Sequence, residues 1–427
     1  MTDARTARTL EQWLAYVERQ HPAAIELGLE RVHEVAERMG LARPAARVVT
    51  VAGTNGKGST VAFVEAIARA AGLKVGAYTS PHLFAYNERV RIDGVDAADD
   101  TLAEAFAAVE MARGQVALTY FEYGTLAAFW LFERADLDLA VLEVGLGGRL
   151  DAVNLVDADV AVITTVDLDH QDWLGDDREA IGREKAGIAR PGRPLVLGED
   201  DPPSSVLGRA YAIGAPAIRA GCDFFFEPAD GSRWRWRELD FELDLPLPRL
   251  DAPSQLRNAA TAIAALRALD IEVPANAIAT GVSGAQLPGR LQRVVRGQVE
   301  IVVDVAHNPQ AARELAAWQQ NAPAAGRTLA VFAALADKDI AGVVAALADG
   351  IDAWFVAGLA DAGARGLDGA DFAARLAGTA AAQAVVARDV ATALAMACDQ
   401  ARDGDRVLVF GSFLTAAAAL RWLHVSD

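Results

Sequence analysis

A glycine-rich turn that ends in a lysine lies between a β-branched run and a helical run. The run at residues 48–52 precedes the turn, and helix-forming residues continue to about residue 71. Backbone N–H groups, a helix N-terminus and the Lys57 ammonium would then converge on phosphate oxygens. The usual G-x-x-x-x-G-K-[ST] pattern is matched imperfectly, because Val51 takes the first glycine position and Gly58 follows the lysine. An ordinary turn is the alternative, but three glycines around one lysine favour a triphosphate site. The residues predicted to form it are Gly53, Thr54, Asn55, Gly56, Lys57, Gly58 and Ser59.

Polar side chains follow three other apolar runs, where a divalent cation would find oxygen and nitrogen ligands. Ser80 follows the first run, Glu143 ends the second, and Asp167, Asp169 and His170 follow the third. A carboxylate at a strand end is costly to bury unless it meets a cation. A bound Mg²⁺ would therefore explain why an acid ends the apolar run at Glu143. Each segment alone also fits a capped turn or a solvated loop. Together they predict a metal cluster.

Two further segments carry candidate residues whose pattern leaves the role open. Lys185 ends a short helical stretch, where periodicity alone predicts a solvated lysine near a helix C-terminus. Asp304 ends a later strand and could contact a ribose or a metal-bound phosphate, while His307 could reach a cleft. The alternative is structural: Asn308-Pro309 is a typical helix start, which by itself would explain the turn after this strand.

The elements that must position these residues alternate between strands and helices. Continuous apolar runs at residues 47–52, 74–79, 139–144 and 160–166 indicate strands covered on both faces, as in a parallel sheet. The sequence therefore predicts an α/β protein with a mostly parallel, P-loop-containing sheet. A helix is predicted over residues 255–268, and the turn at residues 287–290 is the predicted domain boundary.

The alternation starts again after that turn and predicts a second, smaller, Rossmann-like α/β domain. Its strands are expected at residues 299–303, 328–332, 353–356 and 406–410, so the domains are residues 1–290 and 291–427. Between the two series, residues 222–247 are rich in phenylalanine, tryptophan and alternating charges, and residues 233–237 alternate arginine with tryptophan. This segment fits an antiparallel hairpin better than a basic and aromatic nucleic-acid patch.

The composition limits the class of protein. The 427 residues are 52% hydrophobic and carry a formal net charge of −18, which argues against a broad surface for nucleic acid or anionic lipid. The start has no leader-like apolar core, and no apolar run reaches the roughly 20 residues of a membrane span, so we expect a cytoplasmic protein. Cys222 and Cys398 lack metal-ligand spacing and are expected to be free, buried thiols.

In order along the chain, these segments resemble the folylpolyglutamate synthase family, in particular its bacterial bifunctional dihydrofolate synthase/folylpolyglutamate synthase members, which are related to the Mur ligases. The resemblance runs from about Ile25 to Gly411. It is carried by the phosphate loop and by residues 79–83, 87–89, 143–154, 169–170, 184–188, 288–290 and 304–309.

The resemblance implies an ATP-dependent amide ligase that adds L-glutamate to dihydropteroate and to the γ-carboxylate of folates, through an acyl phosphate, releasing ADP and phosphate. A monofunctional tail-extending enzyme or another Mur-type ligase remains the alternative. A cell-wall substrate is disfavoured because only about 50 residues precede the loop, fewer than a normal domain. A kinase for a small alcohol and an ATP-sensing module are more distant alternatives.

The resemblance also assigns roles to residues. Asn258, Arg290 and Asp304 would complete the ATP site, and Ser80, Glu143 and His170 would surround Mg²⁺, with a monovalent cation left open. Lys57, Lys185 and His307 would be catalytic, and Lys185 would be N-carboxylated, which reverses the solvated interpretation. The substrates are small molecules, and a monomer is expected. The residues that would contact the pterin substrate are Ile25, Glu26, Leu27, Gly28, Thr119, Tyr120, Phe121, Glu122, Leu150, Asp151 and Ala152.

Overall fold

A computed structural model describes residues 8–21, 25–229, 231–250 and 252–425. It divides into two compact units: Met1–Arg249 with Leu256–Ala285, and Leu250–Gln255 with Gln286–Asp427. Both units combine helices with a largely parallel sheet, which confirms the predicted α/β class. No helix in the described ranges combines the length and apolar character that crossing a membrane requires.

The first unit is built on an eight-stranded sheet in the order β4-β3-β2-β5-β1-β6-β7-β8. From β2 to β8 all neighbouring strands are parallel, while β3 and β4 add an antiparallel edge. The strands are β1 Arg47–Ala52, β2 Val75–Tyr78, β3 Val90–Ile92, β4 Val95–Asp96, β5 Leu139–Glu143, β6 Val160–Ile163, β7 Leu195–Leu197 and β8 Ala217–Arg219.

Helices pack against this sheet and bury its apolar side chains. One core cluster lies among α1, α2, α4 and α5, and another among β6, β7, α7 and α8. The helices are α1 Leu10–Val17, α2 Glu30–Met39, α3 Lys57–Ala70, α4 Asp99–Arg113, α5 Tyr120–Ala135, α6 Gln171–Leu174, α7 Arg178–Lys185, α8 Ser204–Ile213, α9 Pro253–Ala268 and α10 Ala275–Gly284.

The arginine–tryptophan segment forms the predicted antiparallel pairing. Strands β9 Phe225–Pro228, β10 Arg233–Glu238 and β11 Phe241–Pro246 make a three-stranded sheet. Trp234 and Trp236 are fully buried, whereas the alternate arginines are exposed. Arg233 is paired with Asp244 of the adjacent strand, so this face does not present unbalanced positive charge.

The second unit holds a six-stranded sheet in the order β12-β13-β17-β14-β15-β16. Only β12 is antiparallel to its neighbour. A separate apolar core fills this unit. Its elements are β12 Gln292–Arg296, β13 Val299–Val303, α11 Pro309–Asn321, β14 Thr328–Phe332, α12 Ile340–Leu347, β15 Ala353–Ala357, α13 Gly369–Ala374, β16 Val385–Ala387, α14 Val390–Gln400, β17 Arg406–Phe410 and α15 Phe413–Val425.

The prediction for the cysteines was partly wrong. Both are free, but Cys222 is exposed and Cys398 is half-buried. Cys222 lies in the turn between β8 and β9, at the surface, which periodicity of the flanking strands does not reveal.

The sheet register places the polar strand ends of the first unit side by side. Val51 of β1 lies opposite Glu143 of β5, and Ala52 lies opposite Ile163 of β6. Tyr78 of β2 lies opposite Leu142 of β5. Because parallel strands end at the same edge, the segments that follow β2, β5, β1 and β6 form one row there.

Candidate active site

The phosphate loop joins β1 to α3, and its lysine folds back over it. Gly56 is the residue before α3, with a φ of +86°. The Lys57 Nζ donates hydrogen bonds to the Gly53 carbonyl oxygen at 3.0 Å and to the Thr54 carbonyl oxygen at 3.3 Å. An ammonium group and the N–H groups of a helix N-terminus therefore meet in one loop, which is the arrangement that binds phosphate.

Two threonines after β6 hold this loop in place, and sequence analysis had not singled them out. The Thr54 N–H donates to the Thr165 carbonyl oxygen at 2.8 Å, and the Thr164 Oγ1 donates to the Asn55 carbonyl oxygen at 2.6 Å. A Cβ at Gly53 would lie 1.8 Å from the Thr164 Oγ1, so only glycine fits there. The available signal was a pair of hydroxyl residues at the end of an apolar strand.

Asn258 lies against the same loop. Its side chain is 3% exposed, and its Oδ1 lies 2.6 Å from where a Cβ would stand at Gly56. The loop is therefore contacted by the side chain of α9 as well as by the end of β6.

Ser80 and Glu143 meet at the ends of β2 and β5. The Ser80 N–H donates to the Glu143 Oε2 at 3.1 Å, and Glu143 is 4% exposed. A nearly buried carboxylate beside a hydroxyl residue is an oxygen donor set of the kind that Mg²⁺ prefers.

His170 precedes α6 and has a φ of +53°, and its N–H donates to the Asp169 Oδ1 at 2.9 Å. Within the part of the chain that the structure describes, no three His, Cys, Asp or Glu side chains are grouped as a metal site. The three-residue set of Ser80, Glu143 and His170 stays a prediction.

Lys185 is buried, so the solvated interpretation drawn from periodicity was wrong. The residue is 3% exposed at the end of α7. Burial, and to a smaller extent the nearby positive charge of Lys57, lowers the pKa of its amine to about 7, against the opposing effect of the carboxylates of Asp169, Asp151 and Glu199. The amine of Lys185 is thus within electrostatic reach of the phosphate-loop lysine.

Glu199 is a site residue that sequence analysis missed. It follows β7, where its Oε1 accepts the Val166 N–H at 3.0 Å and its Oε2 accepts from the Arg178 Nη2 at 3.2 Å. Burial raises the pKa of this carboxyl to about 7 despite the opposing charge of Arg178. The signal was similar to that of Glu143, namely an acid at or just beyond the end of an apolar strand.

The three segments predicted to contact a pterin come together in the first unit. The Gly28 N–H donates to the Leu150 carbonyl oxygen at 3.4 Å, and Arg31 bridges Glu26 and Glu122, with 2.8 Å from its Nη2 to the Glu122 Oε1. Arg31 was not predicted, and its pairing across 91 residues leaves no local signal. Ile25, Leu27 and Leu150 stay partly exposed beside these contacts.

Glu122 is itself held by the start of α5. Its Oε2 accepts the Thr119 N–H at 2.7 Å, while the Thr119 Oγ1 accepts the Glu122 N–H at 3.3 Å, which forms a capping box. The same turn places the Phe121 ring against Gly145, where a Cβ would lie 2.6 Å from the Phe121 Cζ. Tyr120 packs its ring edge-on against Tyr86, with 5.9 Å between centroids.

Asp151 lies buried in the loop after β5. Its Oδ2 accepts the Leu146 N–H at 2.8 Å and its Oδ1 accepts the Val153 N–H at 3.0 Å. Burial raises the pKa of this carboxyl to about 6, against these hydrogen bonds and the charge of Lys57. Ala152 follows in a buried 3-10 turn.

The three predicted residues of the second unit gather at the end of β13. The Asp304 carboxylate accepts the Leu291 N–H at 2.9 Å and the Ala306 N–H at 2.8 Å. Arg290 lies over the Phe413 ring at 5.1 Å, and the His307 ring centroid is 6.3 Å from the same ring. The His307 Nδ1 lies 2.9 Å from the Val305 carbonyl oxygen.

Comparison with known proteins identifies the family. The Mur ligase middle domain matches residues 51–223, and the Mur ligase, glutamate ligase domain matches residues 289–413. The dihydrofolate synthase/folylpolyglutamate synthase of Escherichia coli strain K12 is 51% identical over 341 residues, covering 80% of this chain and 79% of that one. The Haemophilus influenzae protein of the same name is 40% identical over 428 residues, covering 96% of each chain. The chain belongs to the dihydrofolate synthase/folylpolyglutamate synthase family.

Solved structures of this family have the same fold. E. coli FolC in complex with DHPP and ADP matches with a TM-score of 0.93 and 47% identity over the whole of both chains. A bifunctional folylpolyglutamate synthase/dihydrofolate synthase with Mn, AMPPNP and L-glutamate bound matches with a TM-score of 0.90 and 46% identity, over 98% of each chain. The resemblance inferred from the ordered motifs is thereby confirmed.

Proposed function

We propose that the chain is a bifunctional ATP-dependent amide ligase. It adds L-glutamate to dihydropteroate, which forms dihydrofolate, and it adds further glutamates to the γ-carboxylate of folates. The observation that carries this proposal is one sheet edge that holds a phosphate loop, the buried Glu143 and the buried Lys185. Its family supports it too, since relatives with both activities in their names cover almost the whole chain.

The nucleotide and metal are assigned to the polar strand ends. The loop from Gly53 to Ser59, with Asn258, holds the triphosphate, and the family resemblance predicts that Arg290 and Asp304 also bind the nucleotide. Ser80, Glu143 and His170 would hold Mg²⁺, in keeping with the nearly buried carboxylate at this edge. When bound, Mg²⁺ neutralises phosphate oxygens. A related structure contains Mn and AMPPNP, so a divalent cation with an ATP analogue fits this family.

The reaction begins at the carboxylate of the pterin-bearing substrate. One carboxylate oxygen attacks the γ-phosphorus of ATP, the bond to the bridging oxygen breaks, and ADP leaves with its electron pair. Two anions must approach for this step, and Lys57 and Arg290 offset the charge that develops. The product is an acyl phosphate.

The second step joins glutamate to the activated carboxyl group. The deprotonated amine of L-glutamate attacks the acyl carbon, a tetrahedral intermediate forms, and phosphate leaves with the electrons of the former acyl–oxygen bond. His307 takes the proton or steers the charge in this step. Excluding water protects the acyl phosphate from hydrolysis.

Lys185 is proposed to carry an N-carboxylate. A pKa near 7 leaves much of the amine neutral at neutral pH, and the neutral amine attacks CO₂ and releases one proton. The charge of the side chain then changes from zero in the reacting amine to negative in the carbamate. Lys57 repels the protonated amine and attracts the carbamate, which favours the modified form.

Three further assignments complete the proposal. Residues 1–290 are the ATP-binding domain and residues 291–427 the glutamate ligase domain, in keeping with the family domains at residues 51–223 and 289–413. The enzyme works as a cytoplasmic monomer on small molecules. It has no nucleic-acid or membrane partner.

Phosphate release with mass analysis of the products tests the function. The purified chain receives Mg-ATP and L-glutamate with dihydropteroate, with tetrahydrofolate, or with no acceptor. We expect release with both acceptors, each gaining one glutamyl unit, and a background rate without an acceptor. The Lys57→Ala variant should lose at least about 100-fold in rate, because one preorganised charge at a developing anion has about that effect.

The outcomes separate the alternatives. Release with tetrahydrofolate only would make the enzyme a monofunctional tail-extender. Release that does not depend on glutamate would indicate a kinase instead. Undiminished turnover in Lys57→Ala, with a Lys74→Ala variant as the surface control, would contradict the phosphate-loop assignment.

A further inference from the structure

The loop after β5 and the end of α7 touch through their backbones. A Cβ at Gly148 would lie 3.0 Å from the Lys185 carbonyl oxygen, and a Cβ at Gly187 would lie 2.3 Å from the Arg149 Cβ. The Arg149 N–H donates to the Glu184 carbonyl oxygen at 2.9 Å. Glycine at positions 148 and 187 therefore brings the segment that carries Lys185 into direct contact with the loop that carries Asp151.

Asn154 joins these two segments through the hydrogen bonds of its side-chain amide, which we call the clamp. The residue is 7% exposed. Its Nδ2 donates to the Arg149 carbonyl oxygen at 3.0 Å and to the Gly187 carbonyl oxygen at 3.2 Å, and its Oδ1 accepts from the Arg190 Nη2 at 2.9 Å. Only an amide supplies two donors on one side and an acceptor on the other at this position.

Arg190 adds further hydrogen bonds to the clamp from its solvent side. Its Nη1 donates to the Gly187 carbonyl oxygen at 3.2 Å and its Nη2 donates to the Asn154 carbonyl oxygen at 3.1 Å. Its Nε pairs with Asp157, whose side chain is 81% exposed. The hydrogen bonds of Arg190 to Gly187 and Asn154 thus belong to the clamp, whereas its outer contact, the ion pair with Asp157, faces solvent.

We propose that Asn154 is a positioning residue for Lys185. α7 ends at Lys185 and a 3-10 turn follows at Ala186–Ile188, so the backbone just beyond the lysine is held through Gly187. Fixing Gly187 to Arg149 sets where the Lys185 side chain points relative to Asp151. The inference rests on the proposed function, because it concerns the reactive geometry of Lys185.

Three variants of the full chain test the proposal. Asn154→Ala removes the clamp, and Asn154→Asp keeps the acceptor for Arg190 but places a carboxylate against two carbonyl oxygens. Asp157→Asn is the matched control, because it neutralises only the outer ion pair of Arg190. We expect both Asn154 variants to lose at least about 10-fold in kcat with KM for ATP changed by less than about twofold, since a 1 Å displacement can cost up to about 100-fold. Asp157→Asn should behave like the parent.

Lysine modification supplies a readout that a merely structural role would not move. With ¹³C-bicarbonate, the carbamate signal of the parent should saturate at a lower bicarbonate concentration than that of Asn154→Ala, and high bicarbonate should restore part of the lost kcat. If the parent gave no carbamate signal, the modification of Lys185 would be refuted. The separate effects of Asn154→Ala on kcat and on KM would then decide whether Asn154 is a positioning residue. The proposal would be overturned if Asn154→Ala kept the kcat of the parent or lost no more kcat than Asp157→Asn. It would also be overturned if a carbamate formed and its dependence on bicarbonate were the same in the parent and in Asn154→Ala.

Discussion

At Lys185, burial and neighbouring charges act in opposite directions on one amine. Desolvation and Lys57 favour the neutral form, whereas Asp169, Asp151 and Glu199 favour the ammonium. The pKa near 7 shows that desolvation dominates. The same effect raises the pKa of Asp151 to about 6 and that of Glu199 to about 7, so three side chains of this region change charge near neutral pH.

The depressed pKa of Lys185 predicts a pH-dependent contribution to stability. Between about pH 7 and the value of 10.5 expected in the unfolded chain, the unfolded state binds more protons than the folded state. The free energy of unfolding should therefore rise with pH in this window, by up to about 1.4 kcal/mol per pH unit from this group. Urea unfolding of the parent and of Lys185→Met, at pH 7 to 10 in CO₂-free buffer, should show a flatter dependence in the variant.

The comparison isolates one group because all other titrating residues are shared. Lys74→Met, a substitution of an exposed lysine, serves as the control and should keep the slope of the parent. Equal slopes in the parent and in Lys185→Met would show that the amine is not desolvated in the folded protein.

At the scale of single elements, the phosphate loop depends on a glycine that meets Asn258. Gly56 and Gly72 both have a φ of +86°, but a Cβ at Gly56 would lie 2.6 Å from the Asn258 Oδ1, whereas a Cβ at Gly72 would meet nothing within 4 Å. Alanine at either site costs about 1–2 kcal/mol of backbone strain. We expect only Gly56→Ala to weaken binding of an ATP analogue, by at least about 10-fold, because only there must Asn258 move.

Calorimetric titration with AMPPNP and thermal unfolding of both variants check this expectation. Equal weakening of nucleotide binding by Gly56→Ala and Gly72→Ala would mean that general strain, and not the contact with Asn258, controls the loop. If Gly56→Ala bound AMPPNP as tightly as the parent, we would conclude that Asn258 is not part of the nucleotide site.

Sequence patterns predicted the elements with long apolar runs and missed the short ones. The predicted bounds of β1, β13, β14 and β17 agree with the structure, because each has five or six residues in an apolar run. Strands β3, β4 and β8 are two to three residues long and carry no measurable periodicity.

The same limit applies to the site. Motif spacing indicated the phosphate loop, Ser80, Glu143 and Asp304. The burial of Lys185, the pairing of Arg31 with Glu122 and the clamp at Asn154 come from contacts between distant segments, which local spacing does not encode.

At the scale of the whole molecule, each of the two units has its own apolar core. Phe332 in the second unit is fully buried, with ring centroids 5.0 Å from Phe410 and 5.2 Å from Phe372. Phe132 is equally buried in a core of the first unit. Units with separate cores are expected to unfold as separate cooperative blocks.

Truncating one core should therefore affect one unit. Phe332→Ala removes a buried ring at a cost of about 3–5 kcal/mol, and we expect faster amide exchange in β13, β14, β15 and β17 while β1, β5 and β6 keep their protection. Phe132→Ala should produce the reverse pattern in the same full-length chain. Hydrogen exchange resolved by peptide would measure both. If each variant accelerated exchange in both sheets alike, the two cores would unfold as one block, and stability could not be assigned to the units separately.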